Sequence, residues 1–308
     1  MSRCPTGRRA GGLAAWTAVV CATILAFAPS DAAPAVRQQG ELKSDIYLIG
    51  ATGKNRRQLT HGLDESRYES PVWSRDGRAL AFSGSICGDC PAMLSLLDMR
   101  SGRRRSLPTT ALISAERPSF APNGRRLVFV GGNTNAVYTV NVDGSGLRRL
   151  TKEAAAHDQA VWSPDGRHIA YTRQQKNGQW DLYVMNTDGT HVRALTRTPG
   201  SEEQPAWSPD SRKIAFVRQH RRVWSIYVLQ LGQRVAHKLT RGALDEENPV
   251  WSPDGKRLAF VRLDGRSSQI YIARADGRGA RLLDTGFAFS FNPAWAPDGR
   301  RIAFAARD

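Results

Sequence analysis

The segment Pro-Val-Trp-Ser-Pro-Asp-Gly-Lys-Arg-Leu-Ala-Phe at 249–260 returns in five altered copies along the chain, and this repetition restricts the fold more tightly than any other feature. Its aromatic anchors are Trp73, Phe120, Trp162, Trp207, Trp251 and Trp295, spaced 47, 42, 45, 44 and 44 residues apart. A second motif lies between the copies: Asp181-Leu-Tyr-Val-Met-Asn-Thr-Asp-Gly-Thr-His-Val-Arg-Ala-Leu-Thr196, with counterparts near Asp45, Met93, Ala136, Ser225 and Gln269. Each motif is an apolar or alternating run, a glycine turn and a second run, the pattern of a β-hairpin. Two hairpins in a period of this length make one four-stranded propeller blade.

The turn residues agree. In Ser-Pro-Asp-Gly, proline sits where φ near −65° is wanted and glycine where φ is positive. Gly77, Gly124, Gly166, Gly255 and Gly299 fill that last place, and Ser211 replaces glycine once, at an expected strain of about 1 kcal/mol.

The chain opens its repeats with a tyrosine-type hairpin (45–60) and closes them with a tryptophan-type hairpin (293–305), neither beside its mate. Pairing the first with the last completes a sixth blade and removes both exposed sheet edges, which otherwise invite aggregation. The expected fold is therefore all-β: a six-bladed propeller of four-stranded antiparallel blades. The Trp73 series is expected to pack between blades. Phe82, Phe129, Tyr171, Phe216, Phe260 and Phe304 are expected to form blade cores.

These alternating hairpins resemble the WD40-like propeller repeat of TolB and of the propellers in tricorn-type and prolyl-oligopeptidase-type peptidases. The resemblance covers residues 45–308 and lacks the α/β domain that precedes the propeller in TolB. It implies an envelope protein that docks other proteins. A propeller by itself does not specify a function.

Residues 1–35 read as a signal peptide, with Arg3, Arg8 and Arg9 ahead of an apolar run from Ala10 to Ala28 and small residues Ala32, Ala33 and Ala35 behind it. Residues 36–308 are then the propeller domain, exported to the periplasm, cell envelope or exterior; an uncleaved anchor is the alternative. Formal net charge is +16, or +14 without the export segment, a surplus that favours anionic partners. Export argues against nucleic acid, and a monomer is expected. Cys87 and Cys90 form one C-x-x-C. A local disulfide, a redox pair and half a zinc site are the readings, and the compartment favours the disulfide.

Propeller topology sorts residues onto faces. Basic residues after the first turn of each blade (Arg78, Arg125, Arg126, Arg167, Arg212, Lys213, Lys256, Arg257, Arg300, Arg301) gather on the turn face. They either solvate it or bind an anionic envelope polymer or lipid surface. Two residues before each strand A proline position stand Glu69, Glu116, Asp158, Glu203 and Glu247, with Phe291 in the sixth place. This carboxylate ring either accepts loop N–H groups or receives a cation or a basic peptide. Trp180 and Trp224 share one loop position in consecutive repeats. With Phe287 and Phe289 they form a candidate contact patch, or else cover the blade rim.

Catalysis finds little in the sequence: there is no G-x-S-x-G and no H-E-x-x-H, and the six histidines fall at unrelated repeat positions that read as surface. No cofactor is expected. The favoured function is a non-enzymatic binding scaffold that docks a protein or peptide on the loop face. The alternatives are anionic polymer or membrane binding and, behind it, a metal-dependent propeller hydrolase.

Overall fold

Proline lacks the N–H that a central ladder position must donate, so a proline in the innermost strand of every repeat but one demands a local break in pairing. The structure, a computed structural model, describes residues 43–307 apart from 64, 88, 89, 110, 111 and 113; the signal peptide expected at 1–35 lies outside them. Strands β1 (Asp45–Gly50) and β2 (Arg57–Gln58) come first. Four sheets follow: β3 (Arg67–Trp73), β4 (Ala79–Ser85), β5 (Met93–Asp98), β6 (Arg104–Ser106); β7 (Ala115–Phe120), β8 (Arg126–Gly131), β9 (Ala136–Asn141), β10 (Arg148–Arg149); β11 (His157–Trp162), β12 (His168–Gln174), β13 (Trp180–Asn186), β14 (Arg193–Ala194); and β15 (Glu202–Trp207), β16 (Lys213–His220), β17 (Val223–Gln230), β18 (His237–Lys238). The remaining strands are β19 (Asp245–Trp251), β20 (Arg257–Leu263), β21 (Ser268–Arg274), β22 (Arg281–Leu282), β23 (Phe289–Trp295) and β24 (Arg301–Arg307). Among the described residues there is no helix.

Within each four-strand unit, neighbouring strands run antiparallel in sequence order from inner A to outer D. The hairpin closure is present: β1 pairs β24 from Asp45↔Ala306 to Gly50↔Arg301. One detail differs from six separate sheets. Ser268 and Phe289 form a single parallel pair between β21 and β23, so β19–β22 and the closing unit join as one eight-stranded sheet beside four four-stranded ones. The innermost strands follow one another in contact, β3, β7, β11, β15, β19 and β23, and β23 returns to β3. The protein is thus an all-β propeller of four-stranded antiparallel blades.

Every A strand carries a register shift at the expected place: Glu69/Val72, Glu116/Ser119, Asp158/Val161, Glu203/Ala206, Glu247/Val250 and Phe291/Ala294. The first residue in each bulge has positive φ: Ser70, Arg117, Gln159, Gln204, Asn248 and Asn292. The second is the proline, or Ala160 in β11, which therefore gives up no ladder bond. At the turn, Ser211 does adopt φ 58° and spends its hydroxyl on the Asp165 N–H at 3.0 Å.

The core is six clusters, each shared by two successive units. Trp73 packs with Ile46, Leu48 and Ala303; Phe120 with Ala81 and Leu94; Trp162 with Val128 and Val130. Trp207, Trp251 and Trp295 repeat the arrangement around the ring. The Phe82 series is buried at all six positions. Outer D strands are two or three residues long, and a following threonine takes over their pairing. Thr60, Thr151, Thr196 and Thr240 hydroxyls accept the N–H of Ile46, Val137, Leu182 and Ile226 at 2.8–3.1 Å. Cys87 and Cys90 are joined in a disulfide with Cα atoms 5.1 Å apart, which selects among the three readings of that motif.

Candidate binding site in the ring of inner strands

Because an A strand begins at the loop face, the residue just ahead of its bulge sits near that face, and the bulge turns the next residue out of the ladder. The structure uses both positions. Arg117, the bulge residue of β7, donates to Asp158 Oδ2 on β11, 41 residues away. Burial alone would lower its pKa, but Asp158, Glu116 and Glu69 outweigh that and hold it charged. The same guanidinium also acts on Glu203 and Glu247. All five carboxylates expected from the sequence therefore interact with this one guanidinium, and Glu69 also feels Arg307 and Arg67.

These guanidiniums do not offset burial at three of the acids. Burial pushes the Glu203 carboxyl up to about 7, with repulsion from Asp158 adding to it. Burial also raises Glu69, where Arg117 pulls the other way, and raises Glu247, where Asp245 adds repulsion. Few loop N–H groups reach these oxygens. Asp158 Oδ1 accepts the Gln159 N–H at 2.8 Å, and Glu116 Oε1 accepts the Ser114 hydroxyl at 2.8 Å.

Four of the other five bulge residues form a belt. Gln159 Oε1 accepts the Gln204 N–H at 2.6 Å, Gln204 Oε1 accepts the Asn248 N–H, and Asn248 Oδ1 accepts the Asn292 N–H at 3.4 Å. Side-chain amides thus satisfy backbone donors that the bulges leave unpaired. Sequence reasoning passed over this row. Its signal was a polar residue just before the proline position in every repeat, arginine once.

A further set was missed one residue earlier on the strands. Glu202 and Glu246 are fully buried and pair with Arg218 and Arg262, both at 2.9 Å. Each arginine also lies over a tyrosine ring, Tyr227 at 4.5 Å and Tyr271 at 4.4 Å. Asp181 is pushed up to about 6 by burial and by Glu202. His157 takes the equivalent place in β11 and is buried, bonding Glu153 at 3.1 Å with its ring tilted against Tyr171 at 5.6 Å, so the surface reading of that histidine is corrected. Burial lowers its pKa.

The aromatic candidates are placed otherwise than expected. Trp180 and Trp224 lie within strands β13 and β17 rather than in loops, opposite Gln174 and Gln219. Both are half-buried, and Trp224 packs against the Trp251 cluster. The Phe287 ring lies 4.6 Å from Tyr47 and 6.4 Å from Phe304, under the Arg56 guanidinium. Phe289 makes the parallel pair with Ser268 and sits beneath Arg307. Among the described residues no group of three His, Cys, Asp or Glu side chains is placed to hold a metal ion. The basic turn residues Arg78, Arg125, Arg167, Arg212, Lys213, Lys256, Arg300 and Arg301 are exposed; Arg126 and Arg257 are partly covered.

Such a circuit of blades closed by its two terminal hairpins defines a β-propeller. The sequence matches the TolB beta propeller domain over residues 65–249 and 204–308, and the chain belongs to that family. It is similar to an uncharacterized protein of Agrobacterium fabrum (28% identical over 157 residues, 50% of this chain and 52% of that protein). It is also similar to the uncharacterized peptidase YuxL of Bacillus subtilis (27% over 200 residues, 51% and 30%). The chain thus spans about half the length of the first of these relatives and under a third of the second. Among solved structures, a putative TolB from Agrobacterium tumefaciens superposes with a TM-score of 0.74 at 22% identity, covering 85% of this chain and 97% of that one. This last likeness is one of fold.

Proposed function

We propose that this chain is an exported, non-enzymatic scaffold whose six-bladed ring, counting the eight-stranded sheet as two blades, docks a positively charged segment of an envelope protein or peptide on its loop face. The observation that supports it is the gathering of Glu69, Glu116, Asp158, Glu203 and Glu247 near Arg117, with Glu203 and Glu247 held above their ordinary range. A cationic segment entering there would supply the missing counter-charge and release protons as these carboxyls ionise. The scaffold works as a monomer, needs no cofactor and takes no nucleic acid.

Calorimetric titration with a lysine-rich peptide tests it. Binding should tighten from pH 6 to pH 8, with protons released, and should weaken in E203Q/E247Q. Affinity that is flat with pH and untouched by that variant refutes the reading. W180A/W224A tests whether the two tryptophans add contacts, and an unchanged affinity removes them from the site.

A second reading rests on the exposed turn-face cations: retention on an anionic envelope polymer or membrane. It predicts strong salt dependence on anionic vesicles, and retention indifferent to salt counts against it.

A further inference from the structure

Where the third four-strand unit meets the fourth, two acids from different sheets are buried together: Asp181 on β13 and Glu202 on β15, 8% and 0% exposed. The Asp181 carboxyl lies within hydrogen-bonding reach of Glu202. At the next junction Ser225 and Glu246 hold the same two places, and in the other four units the place of Glu202 is taken by Tyr68, Ala115, His157 and Ser290. Of these six places, only this junction sets one carboxyl against another.

Glu202 is provided for on one side only. Its Oε1 accepts from Arg218 Nε at 2.9 Å and from the Thr198 hydroxyl, whereas its buried Oε2 has no hydrogen-bond donor among the described residues. The cations around Asp181 are engaged elsewhere. Arg173, opposite it on β12, donates to the Tyr183 hydroxyl at 2.6 Å, lies over that ring and pairs with Glu153 at 3.8 Å. Arg218 on β16 belongs to Glu202, and Arg197, in the loop before β15, is exposed.

Two ionised carboxylates can only accept, but a carboxylic acid has an O–H to give. One proton between the two therefore supplies the donor that Oε2 lacks and removes the repulsion of like charges. Burial, with Glu202 adding to it, outweighs the pull of Arg173 and Arg197 and pushes Asp181 up to about 6.

We propose that Asp181 and Glu202 hold one proton in common, making this junction a pH-sensitive latch, fastened while the proton is bound and slackened when it leaves. The folded pKa of Asp181 lies above its unfolded 3.8, so this contribution to stability is complete below 3.8 and is lost as pH rises through about 6. The proposal does not depend on the loop-face reading.

Carboxyl carbon shifts of the full chain, followed against pH, test it. Asp181 should titrate with a midpoint of about 6, and the Glu202 carbon should move at the same midpoint. The Trp180 amide crosses this junction to the Ser201 hydroxyl at 3.2 Å, and the Trp224 amide crosses the next one to Asp245 at 2.8 Å. Between pH 5 and pH 8, Trp180 should lose about tenfold in protection from hydrogen exchange relative to Trp224. D181N puts a permanent N–H donor in place of the proton, so it should abolish that loss. Its unfolding midpoint should match wild type at pH 5 and exceed it at pH 8; Glu203 titrates in both proteins and drops out of the difference. An Asp181 midpoint inside the ordinary aspartate range, below about 5, would overturn the proposal. So would a Glu202 carbon that ignores that titration, equal loss of protection at both junctions, or a D181N effect that is the same at both pH values.

Discussion

Glu202 and Glu203 are neighbours on one strand and live in opposite circumstances. Glu202 is fully buried and has an arginine of its own, Arg218, which in turn is stacked on Tyr227. Glu203 turns toward the middle of the ring, shares Arg117 with four other acids and is pushed up to about 7. Glu246 and Glu247 repeat the contrast with Arg262. Alternation along a strand thus separates a strut from a vacancy: one face completes its ion pairs within the blade, while the other leaves its acids short of cations. An unmet requirement of that kind is what a partner can fill.

The strongest way to break this contrast is R218A. It strands the buried Glu202 beside Asp181 without its own ion-pair partner, and unfolding in denaturant should show a loss of about 3–5 kcal/mol. A loss below about 1 kcal/mol would mean the pair is no strut. E203Q should act in the opposite direction. A carboxyl whose folded pKa lies above its unfolded value of 4.5 binds protons in preference in the folded state, so stability falls as pH rises from 4.5 through about 7. Glutamine escapes that cost, which amounts to about 3 kcal/mol above pH 8 and vanishes below pH 4.5. Unfolding curves at pH 5 and pH 8 should therefore converge for wild type and variant at the acid end only.

R117M sharpens the other half of the comparison. Removing the shared cation should cost about 2 kcal/mol at neutral pH through the lost Asp158 bond, and should move the titrations of Glu69, Glu203 and Glu247 upward, measurable by carboxyl carbon shifts. Unmoved titrations would show that the acids do not share it. Q204G is the mildest test. Glycine relieves the left-handed backbone but gives up the bond to Asn248 and gains unfolded-state freedom, so the net change should stay within about 1 kcal/mol.

The ring was legible in the sequence because a blade writes its period into residue types: tryptophan between blades, phenylalanine within, glycine or proline at each bend. The carboxylate row was legible for the same reason, since it keeps step with the prolines. Arg117 was not, because its meaning comes from Asp158 on the next blade, and one arginine among amides looks like an irregularity. Trp224 was misplaced because Arg221 and Arg222 both adopt positive φ and make a two-residue hairpin turn. That short turn draws Val223 and Trp224 into β17, where a longer loop would have left them outside. His157 was misread because a histidine's burial depends on Glu153 and the Asn135 carbonyl, which no local pattern announces.

The pairing of β1 with β24 also sets a timetable. Although β1 finds β2 at once, its inner partner β24 comes more than 250 residues later, and contacts so distant along the chain form slowly. A polypeptide leaving a ribosome or threading a pore head first would remain an open arc until its tail emerged. Locking the circle is then a late event, and any factor that holds the early hairpin would delay maturation of the whole molecule without touching the intervening blades.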